Sequence, residues 1–148
     1  MPYLADTNIL LRLQDPKSPD YLVVRSALEV LWERGERLYF TSQNLAEFWN
    51  VCTRPKANNG FGLTTLETDQ RAKLIESKFS LLPDNEQVHL EWRRLVVQHS
   101  VCGVRVHDAR LAAAMIVHGI PRLITLNNRD FERYSLIRAE HPSELAES

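Results

Sequence analysis

The chain has 148 residues, of which 44% are hydrophobic and 25% are charged, and these values are typical of one globular domain with a real core. Its net charge of -1 excludes a protein that holds nucleic acid by bulk positive charge, and its apolar runs are too short to span a membrane. No export signal is visible at the start, so we expect a cytoplasmic protein in which Cys52 and Cys102 are reduced thiols.

The first third of the chain predicts alternating strands and helices. Tyr3–Ala5 is a short apolar strand, and Leu38–Thr41 is a second. Residues 20–34 form a predicted helix between them, because four apolar residues recur on one face: Val24, Ala27, Leu28 and Leu31. Residues 43–53 form another helix, with an apolar stripe at the helical period: Leu45, Phe48, Trp49 and Cys52.

The middle of the chain begins with a connecting loop rich in Pro, Gly and Asn, at residues 54–62. Thr64 and Glu67 then have the spacing of a capping box, which predicts the start of a helix. Ser80–Leu82 is a weak short strand, and a second capping pattern at Asp84 predicts the start of the next helix.

The last third predicts a buried helix followed by two short strands. Asp108 begins a helix that is apolar almost all round, so we expect this helix to be buried on more than one side. Residues 123–125 form a strand, residues 127–134 a helical turn and residues 136–137 a last strand. From Pro142 the chain is polar, so we expect residues 1–141 to form the domain and residues 142–148 a frayed tail.

Short apolar strands that alternate with helices predict an α/β fold, with a central parallel sheet flanked by helices. Ligands of such sheets bind in the crevice at the carboxyl ends of the strands. Asp6 and the segment around Asp130 follow predicted strands, and Asp108 begins a helix whose positive end faces an anion site. Hard divalent cations prefer carboxylate oxygens, so these acids predict a metal site together with Glu47.

Each acid also has an ordinary structural interpretation. Asp6 or Asp108 alone suits a helix cap equally well. Glu47 falls nearly opposite the apolar stripe of its helix, where a solvated glutamate is the default. His107 is a candidate base or substrate contact, although a histidine in this setting is more often a partly exposed loop residue. Four basic residues are candidate phosphate contacts or solvated surface: Arg54, Lys56, Arg105 and Arg129.

The order and spacing of the acidic motifs resemble those of the PIN-domain ribonucleases, of the kind found as the VapC toxin of type II toxin–antitoxin pairs. The resemblance spans nearly the whole chain, and it rests on four segments: Leu4-Ala5-Asp6-Thr7-Asn8, Ala46-Glu47-Phe48, His107-Asp108-Ala109 and Thr125-Leu126-Asn127-Asn128-Arg129-Asp130-Phe131. It implies a three-layer sandwich around the parallel sheet.

The resemblance also implies the site and its chemistry. It assigns Asp6, Glu47 and Asp108 to the catalytic, metal-binding acids, with Asp130 as a fourth. Mg²⁺ or Mn²⁺ on these carboxylates would activate a water that attacks an RNA phosphodiester. Supporting or substrate-contacting roles fall to four polar residues: Thr7, Asn8, Thr125 and Asn127. Many relatives carry an acid near the position of Asn127, where this chain has an amide.

The implied partners are an RNA substrate, a small VapB-like antitoxin and a second copy of the chain, with no membrane. Two rivals remain: another magnesium-dependent α/β phosphotransfer protein, and a PIN-fold binding module without catalysis. A phosphatase of the haloacid-dehalogenase type would carry a second Asp where Asn8 stands, and a receiver domain would carry a lysine near Thr125. Retention of all four acids favours a nuclease over a binding module.

Overall fold

Five short strands form one parallel sheet in the computed structural model, which describes residues 1–146. The strands lie in the order β3-β2-β1-β4-β5, and every neighbouring pair is parallel. Their bounds are Tyr3–Ala5 for β1, Leu38–Thr41 for β2, Ser80–Leu82 for β3, Arg122–Ile124 for β4 and Arg138–Glu140 for β5. The predicted central parallel sheet is therefore confirmed.

Seven helices flank this sheet within residues 1–146: α1 Thr7–Leu13, α2 Tyr21–Glu33, α3 Ser42–Thr53, α4 Thr65–Lys78, α5 Glu86–Gln98, α6 Arg105–His118 and α7 Pro142–Ala146. Along β1, Tyr3 and Ala5 join a buried cluster with α1, α2 and α3, whereas Leu4 joins another with α5 and α6. This alternation is the period of a strand, and it gives each face of the sheet its own core. The predicted sandwich is confirmed. None of the described helices is long and apolar enough to cross a membrane.

β1 lies at the centre of the sheet, where the strand order reverses. From β1 the chain builds outward through β2 to β3, then crosses back so that β4 pairs with the other side of β1. Such a reversal opens a crevice at the carboxyl ends of the central strands. Asp6 follows β1 and Thr125 follows β4, so both residues lie at this crevice.

The patterns predicted from local sequence hold well. The predicted apolar face of α2 is completely buried at all four positions: Val24, Ala27, Leu28 and Leu31. At the start of α4, the Thr64 hydroxyl accepts from the backbone N–H of Glu67, and the Glu67 carboxylate accepts from the backbone N–H of Thr64, both at 3.1 Å. The predicted capping box is therefore confirmed.

Helix α6 begins at Arg105, one turn before the predicted start at Asp108. Gly103, with φ of +59°, turns the chain into the helix. The backbone N–H of His107 then donates to the carbonyl of Val104 at 3.1 Å, so helical bonding starts early. Asp108 consequently lies inside the first turn rather than at the cap.

The predicted cap of α5 at Asp84 is also wrong by one residue. Asn85 caps the helix, because its side-chain oxygen accepts from the backbone N–H of Val88 at 2.9 Å. Asp84 instead pairs with Arg110 on α6.

The last strand lies at Arg138–Glu140 and not at residues 136–137. Its sequence is charged, so the apolar pattern did not reveal it. Glu140 is only 4% exposed, and its carboxylate accepts hydrogen bonds from Arg122 at 2.9 Å and from the Tyr3 hydroxyl at 3.3 Å. These long-range partners satisfy the buried charge and let a polar segment form an edge strand.

The prediction of a frayed tail from Pro142 is wrong for the residues that the structure describes. Pro142–Ala146 form α7, and Leu145 is buried at 4% exposure in the same core cluster as α2. A cap supports its start, because the backbone N–H of Ser143 donates to Nδ1 of His141 at 3.1 Å. The last two residues of the predicted tail lie outside the described residues.

Candidate active site

Asp6 joins the end of β1 to the start of α1 and is 8% exposed. Its Oδ1 accepts from the backbone N–H of Thr7 at 2.7 Å, and its Oδ2 accepts from the Thr125 hydroxyl at 2.8 Å. The helix-cap interpretation of Asp6 is therefore confirmed. The same bonds fix the orientation of the carboxylate at the crevice, so the cap and a functional role are compatible.

The pKa of Asp6 depends on two of the other predicted acids, Asp108 and Glu47. Burial raises the pKa of Asp6 to about 6, and repulsion from Asp108 and Glu47 adds to this effect. The hydrogen bonds from Thr125 and Thr7 oppose it, because they stabilise the charged form. Asp6 therefore lies close enough to Asp108 and Glu47 for their negative charges to disfavour its ionised form.

Glu47 reaches the crevice from α3, although its helix position predicts a solvated residue. The Thr7 hydroxyl donates to its Oε2 at 2.8 Å, and the side-chain amide of Gln43 donates to its Oε1 at 3.0 Å. Phe48, next in sequence, is fully buried on the apolar face of the helix. The apolar face of α3 thus enters the core, and its other face lines the crevice.

Asp108 and Asp130 meet at the other side of the crevice through a shared arginine. Nη1 of Arg105 lies 3.3 Å from Oδ2 of Asp108 and 2.5 Å from Oδ2 of Asp130. Burial raises the pKa of Asp108, the ion pair with Arg105 lowers it, and Asp130 and Glu47 raise it again. Asp108 is therefore coupled to all three of the other predicted acids.

Thr125 and Asn8 support Asp6 from behind. Thr125 is fully buried, and its hydroxyl accepts from the side-chain amide of Asn8 at 3.4 Å and from the backbone N–H of Asn127 at 3.1 Å. Asn8 Oδ1 accepts from the backbone N–H of Leu126 at 3.2 Å. Asn127 is exposed, and its contribution to this network comes from its backbone rather than its amide side chain.

Among the remaining candidate phosphate and substrate contacts, the side chain of Arg54 has a structural partner, whereas three others are exposed. Arg54 donates to the carbonyl of Asn59 at 3.2 Å and so closes the loop of residues 54–62 on itself. His107 is exposed, and its carbonyl oxygen rather than its ring binds a residue of α3. Lys56 and Arg129 are exposed side chains. The loop arginine therefore has a structural role in its own turn.

Two residues that the sequence analysis did not name complete the site. Nε2 of Gln43 donates both to Glu47 Oε1 and to the carbonyl of His107, each at 3.0 Å, and so joins α3 to α6. The side-chain amide of Asn44 donates to the Thr7 hydroxyl at 3.1 Å. The spacing of Gln43 four residues before Glu47 was a usable signal, because such pairs are neighbours on a helix.

Within residues 1–146, no three His, Cys, Asp or Glu side chains are grouped closely enough to hold a metal ion as they stand. Two of the acids, Asp108 and Asp130, are already paired with Arg105. The chemistry of the donors nevertheless suits a hard divalent cation: carboxylate oxygens, raised pKa values at Asp6 and Asp108, and supporting hydroxyl donors.

A five-stranded parallel sheet flanked by helices on both faces is consistent with a PIN-like α/β sandwich. The family model of the PIN domain matches residues 3–136, a span that contains all four acids, and the chain belongs to this family. A search of curated proteins gave no match.

Several solved structures share the fold. VapBC2 from Rickettsia felis, bound to a promoter DNA fragment, is 19% identical with a TM-score of 0.71, covering 95% of this chain and 98% of that one. FitAcB from Neisseria gonorrhoeae is 18% identical with a TM-score of 0.68, covering 95% and 97%. VapC20 from Mycobacterium tuberculosis, described as a sarcin-ricin loop cleaving toxin, is 15% identical with a TM-score of 0.62, covering 82% and 86%.

Proposed function

We propose that this PIN domain is a divalent-metal-dependent endoribonuclease and the toxin of a type II toxin–antitoxin pair. The observation that carries the proposal is the convergence of three acids at the central crevice: Thr7 bonds to both Asp6 and Glu47, and Gln43 joins Glu47 to the carbonyl of His107, next to Asp108. Membership of the PIN family and likeness in fold to the toxin VapC20 support it.

Asp6, Glu47 and Asp108, with Asp130 beside them, would hold Mg²⁺ or Mn²⁺. Such an ion lowers the pKa of a bound water and neutralises the charge that develops on a phosphate. The residues of the chain have a positioning role. Hydrogen bonds from Thr7 and other donors hold the acids in place, so the acids need little rearrangement when a cation and RNA arrive.

Asn8 and Thr125 act one step further from the reacting atoms. They hold the turn after β4 against the start of α1, and this fixes the distance between Asp6 and the opposite side of the crevice. Asn127 contributes through its backbone, so we assign it to this supporting group and not to the cation ligands. Because residue 127 is an asparagine, the carboxylate that this turn offers to a cation is that of Asp130.

A small antitoxin is the proposed protein partner, and likeness in fold to a toxin–antitoxin complex from Klebsiella pneumoniae supports it. The acidic crevice supplies a mode of inhibition. An antitoxin arginine would pair with Asp6 or Asp108 in a bidentate way and exclude the cation. A cytoplasmic location remains a prediction from the sequence.

A homodimer is also proposed, with α5 rather than the helix of Phe48 as its candidate surface. Phe48 is fully buried in the core of its own domain, so it is not available to a second copy. Leu90 and Val97 lie seven residues apart on α5 and are 52% and 70% exposed, which places two apolar residues on one helix face. Light scattering at micromolar concentration, without antitoxin, tests this; the mass of a single chain would contradict it.

The decisive experiment for the activity measures cleavage of labelled RNA with Mg²⁺ and with excess EDTA. We expect cleavage only with the metal, and loss of cleavage in Asp6→Asn and Asp108→Asn while circular dichroism stays native. Equal turnover by the wild type and Asp6→Asn would overturn the proposal. A folded protein that binds its antitoxin but cuts no RNA would point instead to the binding-module alternative.

A further inference from the structure

Arg105 occupies the position in the crevice where positive charge is needed. A single nitrogen of its guanidinium contacts carboxylates from two elements, Asp108 in α6 and Asp130 in the turn at Asn128–Phe131. Both acids belong to the site assigned above. The arginine therefore does within the chain what a bound cation would do: it offsets the repulsion between carboxylates of the crevice.

Local helix energetics explain only the contact of Arg105 with Asp108, which is an i,i+3 pair on one helix. Arg105 is the first residue of α6, and a basic side chain at a helix N-terminus faces the positive end of the helix dipole. Its two acidic partners hold it there against that preference. Its side chain is also 47% exposed, and exposed ion pairs contribute little to stability, so the guanidinium can leave at small cost.

We propose that Arg105 is a built-in counter-cation that competes with the divalent metal for Asp108 and Asp130. In the metal-free protein it keeps the crevice partly neutral, and metal entry requires it to swing out toward solvent. Removing the arginine would therefore tighten metal binding. This inference rests on the proposed metal-dependent function, and it adds a regulator of metal affinity that belongs to the chain itself.

The test is calorimetric titration of the full chain with Mn²⁺ alone, after removal of metals with EDTA. We expect Arg105→Gln to bind Mn²⁺ about threefold to tenfold more tightly than the wild type, the range expected from losing two partly exposed ion pairs. Arg105→Lys keeps the charge and should stay close to the wild type. Arg129→Gln is the matched control, because it removes the same charge from an exposed residue next to Asp130.

A double-mutant cycle tests whether the gain in Mn²⁺ affinity depends on the contact between Arg105 and Asp130. In an Asp130→Asn background one of the two acids that hold Arg105 is neutral, so the gain from Arg105→Gln should shrink. Equal affinities of the wild type and Arg105→Gln would overturn the inference and leave the metal-dependent function standing. The same would follow if Arg129→Gln tightened binding as much as Arg105→Gln. Failure of both the wild type and Arg105→Gln to bind Mn²⁺ would overturn the inference and the proposed function together.

Discussion

The Thr7 hydroxyl donates to Oε2 of Glu47 at 2.8 Å, and this bond joins α1 to α3 across the crevice. Thr7 also donates its backbone N–H to Asp6 at 2.7 Å. One residue, only 7% exposed, thus orients two acids that come from different elements. The geometry of the acidic site depends on this threonine as much as on the acids.

Thr7→Val should lower RNA cleavage about tenfold to a hundredfold, because Glu47 loses a partly buried donor, a loss of about 1–3 kcal/mol. Valine keeps the shape, so the fold should survive. The rate is to be measured per folded molecule under single-turnover conditions. Thr68→Val is the matched control, since Thr68 is also buried but donates to the carbonyl of Thr64, away from the site. A rate equal to that of the wild type would count against this role of Thr7.

Asp6→Asn should abolish cleavage and yet stabilise the metal-free fold at neutral pH. The folded pKa of Asp6, about 6, lies above the ordinary value of 3.8, so the folded state binds more protons than the unfolded state between these values. Stability therefore falls as pH rises through this window and levels off above it. The full penalty is roughly 3 kcal/mol by the usual conversion of pKa shifts.

Urea unfolding in EDTA tests whether Asp6→Asn raises the free energy of unfolding. The gain in free energy of unfolding for Asp6→Asn should be largest at about pH 8 and about half as large at about pH 5. Added Mg²⁺ should then stabilise the wild type more than the variant, because a ligand of the folded state stabilises by mass action. A variant that is less stable than the wild type at about pH 8 would contradict the expected penalty.

Asp108→Asn should reduce cleavage more than Asp130→Asn. Asp108 is coupled to Asp6, Glu47 and Asp130, whereas Asp130 lies at the edge of the crevice with a direct contact to Arg105. Cleavage rates of the two variants, measured at saturating Mg²⁺, give the ranking. An Asp130→Asn variant as slow as Asp108→Asn would place Asp130 at the centre of the site.

The sequence predicted those features that depend on the spacing of residues close together in the chain. The apolar face of α2 and the Thr64–Glu67 capping box follow from residue spacing alone, and both are present. β5 and α7 were missed because their support is tertiary. Glu140 needs Arg122 and Tyr3, and Leu145 needs the core beside α2.

The candidate site likewise combines residues predicted from local sequence with contacts that depend on tertiary packing. Asp6 and Asp108 were identified from short motifs and from their places at a strand end and a helix start. Glu47 was correctly placed opposite the apolar stripe of α3, but only the packing of α3 against α1 turned that face toward the crevice. The pairing of Arg105 with Asp130 joins residues 25 positions apart, so no local pattern encodes it.

Leu145→Ala tests the corrected C-terminal helix. A frayed tail would tolerate the change, whereas a leucine that is 4% exposed in the core should cost about 2–5 kcal/mol of unfolding free energy. Leu136→Ala is the control, since Leu136 is 68% exposed and should change stability by no more than about 0.5 kcal/mol. Equal midpoints of urea unfolding for the two variants would show that α7 is not part of the core.

Gln43→Leu should slow catalysis through Glu47 without weakening RNA binding. The substitution removes both hydrogen bonds of the Gln43 amide, one to Glu47 and one to the carbonyl of His107. Glu47 keeps its bond from Thr7, so its orientation loosens but its place in the crevice remains. Losing one hydrogen bond to a charged group, about 1.5–3 kcal/mol, corresponds to a fall in kcat of roughly tenfold to a hundredfold.

If Gln43 positions Glu47 and does not contact RNA, the kcat of Gln43→Leu should fall, whereas its KM for RNA should stay close to that of the wild type. Gln43→Asn, which keeps the amide but shortens its reach, should be intermediate in rate or as slow as Gln43→Leu. Gln87→Leu on the exposed side of α5 is the control for adding an apolar surface residue. If Gln43→Leu raised KM and left kcat unchanged, Gln43 would be a substrate contact rather than the residue that holds Glu47.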